Sequence, residues 1–231
     1  MNDFLRSMVE RAKESPCRIA LPESDSVPIL ELARAIVNEG IGSPVLVGSP
    51  QAIEALAAKN GVETAGFSYF DNNDAAAVES LADAYTAEHD EFSRKAVIRK
   101  CKDSVRCAMF LLACGEVDCV AAGKERSTGD VVFEATAIVG LAPGVESPSS
   151  LGIADIPGFD GPEGSMLALA DCAITAQPSA EELAGIAIAS ADTVSSLLGW
   201  EPRVALLAFS TCGSAEHESL DVVRKAVDLV H

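Results

Sequence analysis

Apolar side chains along this chain alternate between short continuous runs and stripes at helical spacing, and that alternation sets the predicted elements. Phe4, Leu5, Met8, Val9 and Ala12 share one helical face until Ser15-Pro16 breaks the stripe, and the run Cys17–Leu21 follows as a strand. Pro28 opens a second helix with Ile29, Leu32, Ala33, Ile36 and Val37 on one side, and Gly40 stops it. Residues 44–47 and 66–70 read as strands, and residues 51–59 and 75–88 as helices. Ala96, Val97, Cys101, Val105, Met109 and Leu112 place one long helix over 93–114, with Gly115 at its end. Residues 118–122 are the next strand, running into a polar loop at 123–130 and then a helix that ends near Gly140.

The texture changes after Pro143, where Pro148, Gly152, Pro157, Gly158, Gly161, Pro162 and Gly164 crowd a short span. A domain boundary is expected there, giving parts 1–143 and 144–231. In the second part, 165–171 and 203–209 are predicted strands on either side of a helix at 180–198. Ser179 and Glu182 have capping-box spacing at that helix start. Leu220, Val223, Ala226, Val227 and Val230 form a last amphipathic helix without a terminal capping signal, so the second domain is expected to be incomplete. The fold class is α/β, a parallel sheet with flanking helices.

Composition narrows the functional classes. With 231 residues, 48% of them hydrophobic, the chain is long enough to bury a substantial core. A net charge of −18 argues against nucleic acid or an anionic membrane as partner, so an anionic ligand must be held locally by helix N–H groups or a few placed cations. No secretory signal opens the chain and its apolar stretches are too short to span a bilayer, which predicts a cytoplasmic protein. The seven cysteines, Cys17, Cys101, Cys107, Cys114, Cys119, Cys172 and Cys212, include no Cys-x-x-Cys pair, and the three histidines show no ligand spacing to them. They are read as reduced, small buried apolar groups, and no metal is expected.

Two polar segments carry candidate chemistry. Residues 123–130, Gly-Lys-Glu-Arg-Ser-Thr-Gly-Asp, lie between a predicted strand and a helix, the order that puts ligands at the carboxyl end of a parallel sheet. Residues 209–215, Phe-Ser-Thr-Cys-Gly-Ser-Ala, follow the apolar run 204–208 and offer hydroxyls and backbone donors for a phosphate or carbonyl oxygen. The plainer alternative for both is a polar turn whose serines cap the next helix.

Seven blocks in order resemble the phosphate acetyl/butyryltransferase family. They are Arg18-Ile-Ala-Leu-Pro-Glu23, Gly115-Glu-Val-Asp-Cys-Val-Ala-Ala-Gly123, Ser127-Thr-Gly-Asp130, Ala170-Asp-Cys-Ala173, Pro178-Ser-Ala-Glu-Glu-Leu-Ala184, Glu201-Pro-Arg-Val-Ala205 and Ser210-Thr-Cys-Gly-Ser-Ala215. The resemblance implies reversible acyl transfer between coenzyme A and phosphate, with acyl-CoA and phosphate as partners, coenzyme A as co-substrate and no bound cofactor. It also implies two α/β domains with a cleft, like the isocitrate and isopropylmalate dehydrogenases, and a homodimer. By the same resemblance Ser127, Thr128 and Asp130 line one substrate loop, and Ser210, Thr211, Gly213 and Ser214 the other. Arg126 is a candidate phosphate contact.

Three departures from the family pattern bear on catalysis. Relatives carry Asp-x-x-Arg where this chain has Asp130-Val-Val-Phe133, so an aromatic ring stands in place of a phosphate-binding guanidinium. A Tyr-x-x-Arg-Lys pattern corresponds to Tyr85-Thr-Ala-Glu88-His89, which turns a positive position negative. The family also continues past the position of His231 with a Ser-Arg pair and an aspartate base, and these have no counterpart here. Asp171 is a substitute base only if it is not tied up structurally. Catalytic residues are therefore left unassigned, and a non-catalytic acyl-CoA or phosphate binder and an inactive fragment stand as alternatives.

Overall fold

The computed structural model describes residues 3–143, 145–211 and 213–230. Cys212 and His231, singled out above, lie outside them, as does the expected boundary residue Gly144. The chain divides into two units, Met1–Gly140 and Leu141–His231.

The first unit begins with α1 (Asp3–Glu14), β1 (Cys17–Leu21), α2 (Val27–Glu39), β2 (Gly42–Val47), α3 (Pro50–Asn60) and β3 (Ser68–Phe70). It continues through α4 (Ala75–Glu88), α5 (Arg94–Lys100), α6 (Ser104–Ala113), β4 (Cys119–Val120) and α7 (Thr128–Ile138). All four strands are parallel, in the order β3-β2-β1-β4. Alternate side chains of each strand enter different cores. Leu21 and Leu46 meet Ile29, Leu30, Ala33 and Ile53 of α2 and α3, while Ala20 and Val47 meet Val78, Leu81, Phe110 and Ile138 of α4, α6 and α7. A sheet covered on both faces explains why its strands read as continuous apolar runs.

Capping chemistry corrects one element. The helix expected over 93–114 is two helices, because the Asp103 carboxylate accepts the N–H groups of Val105 at 3.1 Å and Arg106 at 3.2 Å and so starts α6 afresh. The strand expected at 118–122 is reduced to Cys119–Val120, although Asp118 and Ala121 still donate to the carbonyls of Arg18 and Ala20 on β1. Gly40 ends α2 at φ 69, a left-handed conformation in which its N–H reaches the carbonyls of Ile36 and Val37.

In the second unit, β5 (Leu151–Asp155) and β6 (Met166–Ala170) pair antiparallel, followed by α8 (Ala180–Thr193), a π-helical turn at Val194–Leu198 and α9 (Glu218–Val230). The capping box at Ser179 and Glu182 forms as expected. The strand expected at 203–209 does not form. Residues 201–209 make no backbone hydrogen bond to any described residue, and Val204, Leu207 and Phe209 are 54%, 84% and 68% exposed. Strand propensity without a neighbouring strand gives no ladder. The loop at 209–215 consequently does not follow a strand.

The cysteines are also corrected in part. Cys101 and Cys107 are buried, Cys114 is half-buried, and Cys17, Cys119 and Cys172 are exposed. Cys17 and Cys119 open β1 and β4, where the sheet has little cover.

Candidate active site

The strand order fixes where a ligand can enter the first unit. The chain passes from β1 outward to β2 and β3, then returns through α4, α5 and α6 to place β4 on the opposite side of β1. The carboxyl ends of β1 and β4 are therefore the switch point of this sheet, where open parallel sheets place their ligands. Pro22-Glu23-Ser24 leaves β1 and residues 121–127 leave β4, so the loop at 123–130 lies at that switch point.

Glu23 organises this loop. Its carboxylate accepts the backbone N–H groups of Gly123, Lys124, Glu125 and Arg126 at 2.8 to 3.0 Å. Burial, the largest influence on its pKa, pushes it up, but the four amides together hold it below the usual carboxylate range. The sequence contains Glu23 within a family-like block without indicating this role. The signal is an acidic residue two positions after a buried strand end, where an unpaired charge is costly.

Ser127 caps α7. Its hydroxyl accepts the Asp130 N–H at 3.2 Å and donates to the Asp130 carboxylate at 2.8 Å. The turn is thus closed on itself, and the N–H groups of Thr128 and Gly129 have no partner among the described residues. Both cations of the loop are paired, Arg126 with Asp103 and Lys124 with Glu125. Phe133, one turn into α7, is 68% exposed. Its neighbour Glu134 is buried, with Oε1 held by Arg106 at 2.7 Å and Oε2 without a hydrogen-bond partner, 4.0 Å from Lys100.

A cavity of about 500 Å³ adjoins this edge, lined by Ser24, Asp25, Gly48, Ser49, Lys102 and Ser104 among others. It collects the starts of α3 and α6 with one lysine. At the Tyr85 position, Tyr85 is fully buried and stacks on His89 at 4.6 Å, while Glu88 is at the surface.

In the second unit the Ser210 hydroxyl accepts the Ala215 N–H at 3.1 Å, the Thr211 carbonyl accepts the Ser214 N–H at 3.0 Å, and Gly213 takes φ 77. Ser214 does not cap α9; the ring nitrogen of His217 accepts the Ser219 N–H at 3.2 Å instead. Asp171 accepts the N–H groups of Ala173, Ile174 and Thr175 at 2.8 to 3.2 Å and the Ser150 hydroxyl. Burial raises its pKa and is outweighed by these donors, which hold it far below the carboxylate range.

The family model described as phosphate acetyl/butaryl transferase matches residues 3–231. The chain belongs to that family. As a family member it is 35% identical to the phosphate acetyltransferase of Thermoanaerobacterium thermosaccharolyticum over 98% of this chain and 69% of that protein. It is 34% identical to the phosphate acetyltransferase of Clostridium acetobutylicum, again over 98% and 69%. The fold matches the EutD phosphotransacetylase from Staphylococcus aureus with a TM-score of 0.82 at 25% identity, covering 99% of this chain and 67% of that one. The family is therefore one of transferases, and this chain has its α/β fold with a parallel sheet and flanking helices.

Proposed function

We propose that this protein is a phosphate acyltransferase, exchanging an acyl group between coenzyme A and inorganic phosphate. The observation that carries the reading is the loop at 123–130, fixed by Glu23 at the switch point of the sheet, in a chain that matches the family from residue 3 to 231. In the direction of acyl-CoA synthesis, the CoA thiol gives its proton to a base and the sulfur attacks the carbonyl carbon of the acyl phosphate. A carbon–sulfur bond forms, the carbon–oxygen bond to phosphate breaks, and inorganic phosphate leaves with the electron pair.

Residues divide by what their polar groups are already doing. Ser127, Asp130, Ser210 and Gly213 shape turns, and their internal bonds support a positioning role. The N–H groups of Thr128 and Gly129 and the hydroxyls of Thr128, Thr211 and Ser214 have no partner among the described residues and are the donors assigned to phosphate and carbonyl oxygens. Arg126 reaches phosphate by exchanging its Asp103 partner. The cavity beside Lys102 takes the phosphorylated part of coenzyme A, where one lysine and the start of α3, which has no side-chain cap, favour an anion. The isocitrate/isopropylmalate dehydrogenase-like organisation belongs to the same proposal, with residues 1–143 and 144–231 as its domains, as do the homodimer and the cytoplasmic location.

The test is the appearance of free thiol when acetyl-CoA and phosphate are mixed with the protein, with acetyl phosphate measured in parallel. Equal amounts of both products are expected. Coenzyme A binding by calorimetry without turnover on acetyl-, propionyl- or butyryl-CoA would replace the enzyme with a binding protein.

A further inference from the structure

Gly123 and Lys124 donate to Oε2 of Glu23 at 3.0 and 2.8 Å, and Glu125 and Arg126 donate to Oε1 at 2.8 and 3.0 Å. Consecutive backbone amides aimed at one point form a concavity that attracts an anion. Left open beside a phosphate-using site, it would compete for the substrate. It is not open, because Glu23 is 5% exposed and each of its oxygens accepts two of the amides. The loop thus carries its own anion, delivered from the end of the neighbouring strand β1.

We infer that Glu23 is a positioning residue, an internal carboxylate that fills the amide concavity of residues 123–126, closes it to substrate anions, and directs phosphate to the Thr128 and Gly129 N–H groups. The last clause rests on the acyltransferase reading; the occupied concavity does not. Glu23 touches no reacting atom in this scheme. It acts through the loop, whose geometry sets the start of α7 and so the direction of the two free N–H groups.

The arrangement also separates two kinds of variant. Glu23→Ala removes both acceptor oxygens and leaves four amides facing a vacant pocket the size of a carboxylate. Glu23→Gln keeps the side-chain volume and one acceptor oxygen, so it releases two of the amides and turns an amine toward them.

Amide proton–nitrogen correlation spectra of the full chain, titrated with formate and with inorganic phosphate, give the test. In the unaltered protein formate moves none of the resonances of Gly123, Lys124, Glu125 and Arg126, and phosphate moves those of Thr128 and Gly129 most. In Glu23→Ala both anions move all four saturably, and formate returns them toward their original positions. If that variant fails to fold, Glu23→Gln supplies the reading, with anion-dependent shifts confined to one pair of amides. Formate shifting the four amides of the unaltered protein saturably would overturn the assignment, as would four amides in Glu23→Ala that ignore formate. In turnover assays Glu23→Ala loses at least about tenfold in kcat and formate restores part of it. The spectra need no turnover, so absence of activity in every form would count against acyl transfer and not against this role for Glu23.

Discussion

The Arg126 guanidinium is paired with Oδ2 of Asp103, whose Oδ1 caps α6 through the N–H groups of Val105 and Arg106. One carboxylate therefore both starts a helix and restrains the loop cation nearest the proposed phosphate donors.

Asp103→Asn separates these two jobs. Asparagine caps a helix as well as aspartate does, so stability stays within about 0.5 kcal/mol. A partly exposed pair of this kind is worth about 0.2–1 kcal/mol, so freeing Arg126 lowers the KM for phosphate by up to about fivefold. Arg126→Gln added to that variant cancels the gain. Phosphate saturation curves for the two single variants and the double variant measure the coupling, and strict additivity would remove Arg126 from the site.

Phe133 already projects into solvent from α7, so Phe133→Arg disturbs no core contact and replaces a modest helix former with a better one. Turnover with acetyl-CoA and phosphate should rise by about tenfold or more, because a guanidinium binds phosphate with charge-assisted bonds that a ring cannot make. Thermal unfolding serves as the control. An unchanged rate would mean that this position does not face substrate.

Asp171 is excluded as the thiol's base by its surroundings. A base works best with a pKa near the operating pH, and three backbone N–H groups with the Ser150 hydroxyl hold this carboxylate far below that range. Asp171→Asn should leave the shape of the pH–rate profile unchanged between about pH 6 and 9, while denaturant unfolding shows the second unit destabilised by about 1–3 kcal/mol. Loss of the acidic limb of the profile would reinstate Asp171 as the base.

Tyr85 predicts an alkaline limit to stability. Burial, its main perturbation, raises its pKa from 10.0 to about 12, reinforced by the Glu91 carboxylate. The folded state holds the proton more tightly than the unfolded one, so the contribution is complete below the unfolded pKa and is lost as pH rises from about 10 toward 12. Tyr85→Phe loses long hydrogen bonds to Glu91 and the Ile138 carbonyl, at 3.3 and 3.4 Å, and costs about 0.5–1.5 kcal/mol at neutral pH. Unfolding followed against pH should then lose its alkaline decline, and a decline that persists would assign it to another group.

Elements whose signal is local were legible in the sequence. The α4 boundaries, the Ser179–Glu182 cap and the β1 run follow from periodicity and caps, which neighbouring residues decide. The split between α5 and α6 was also local, yet the apolar stripe from Ala96 to Leu112 masked the Asp103 cap. Residues 203–209 mark where local reasoning stops. Their composition is that of a strand, but a strand exists only against a partner, which a linear pattern does not contain. Glu23 is the same lesson at the site, since its four bonds bridge about a hundred positions of sequence and depend on β1 lying beside β4.

Buried apolar side chains are shared unequally between the units. Tyr85, Phe110, Leu21, Leu30 and Leu46 fill the first, while in the second the buried apolar groups among the described residues are Ala180, Ala184, Ile186, Ala187, Val194, Leu220 and Ala226, four of them alanines. Small side chains remove little area from water, so the second unit is expected to melt at a lower temperature than the first. Warming the protein should loosen residues after 140 while the β1–β4 edge, with Glu23 still gripping its loop, keeps its shape.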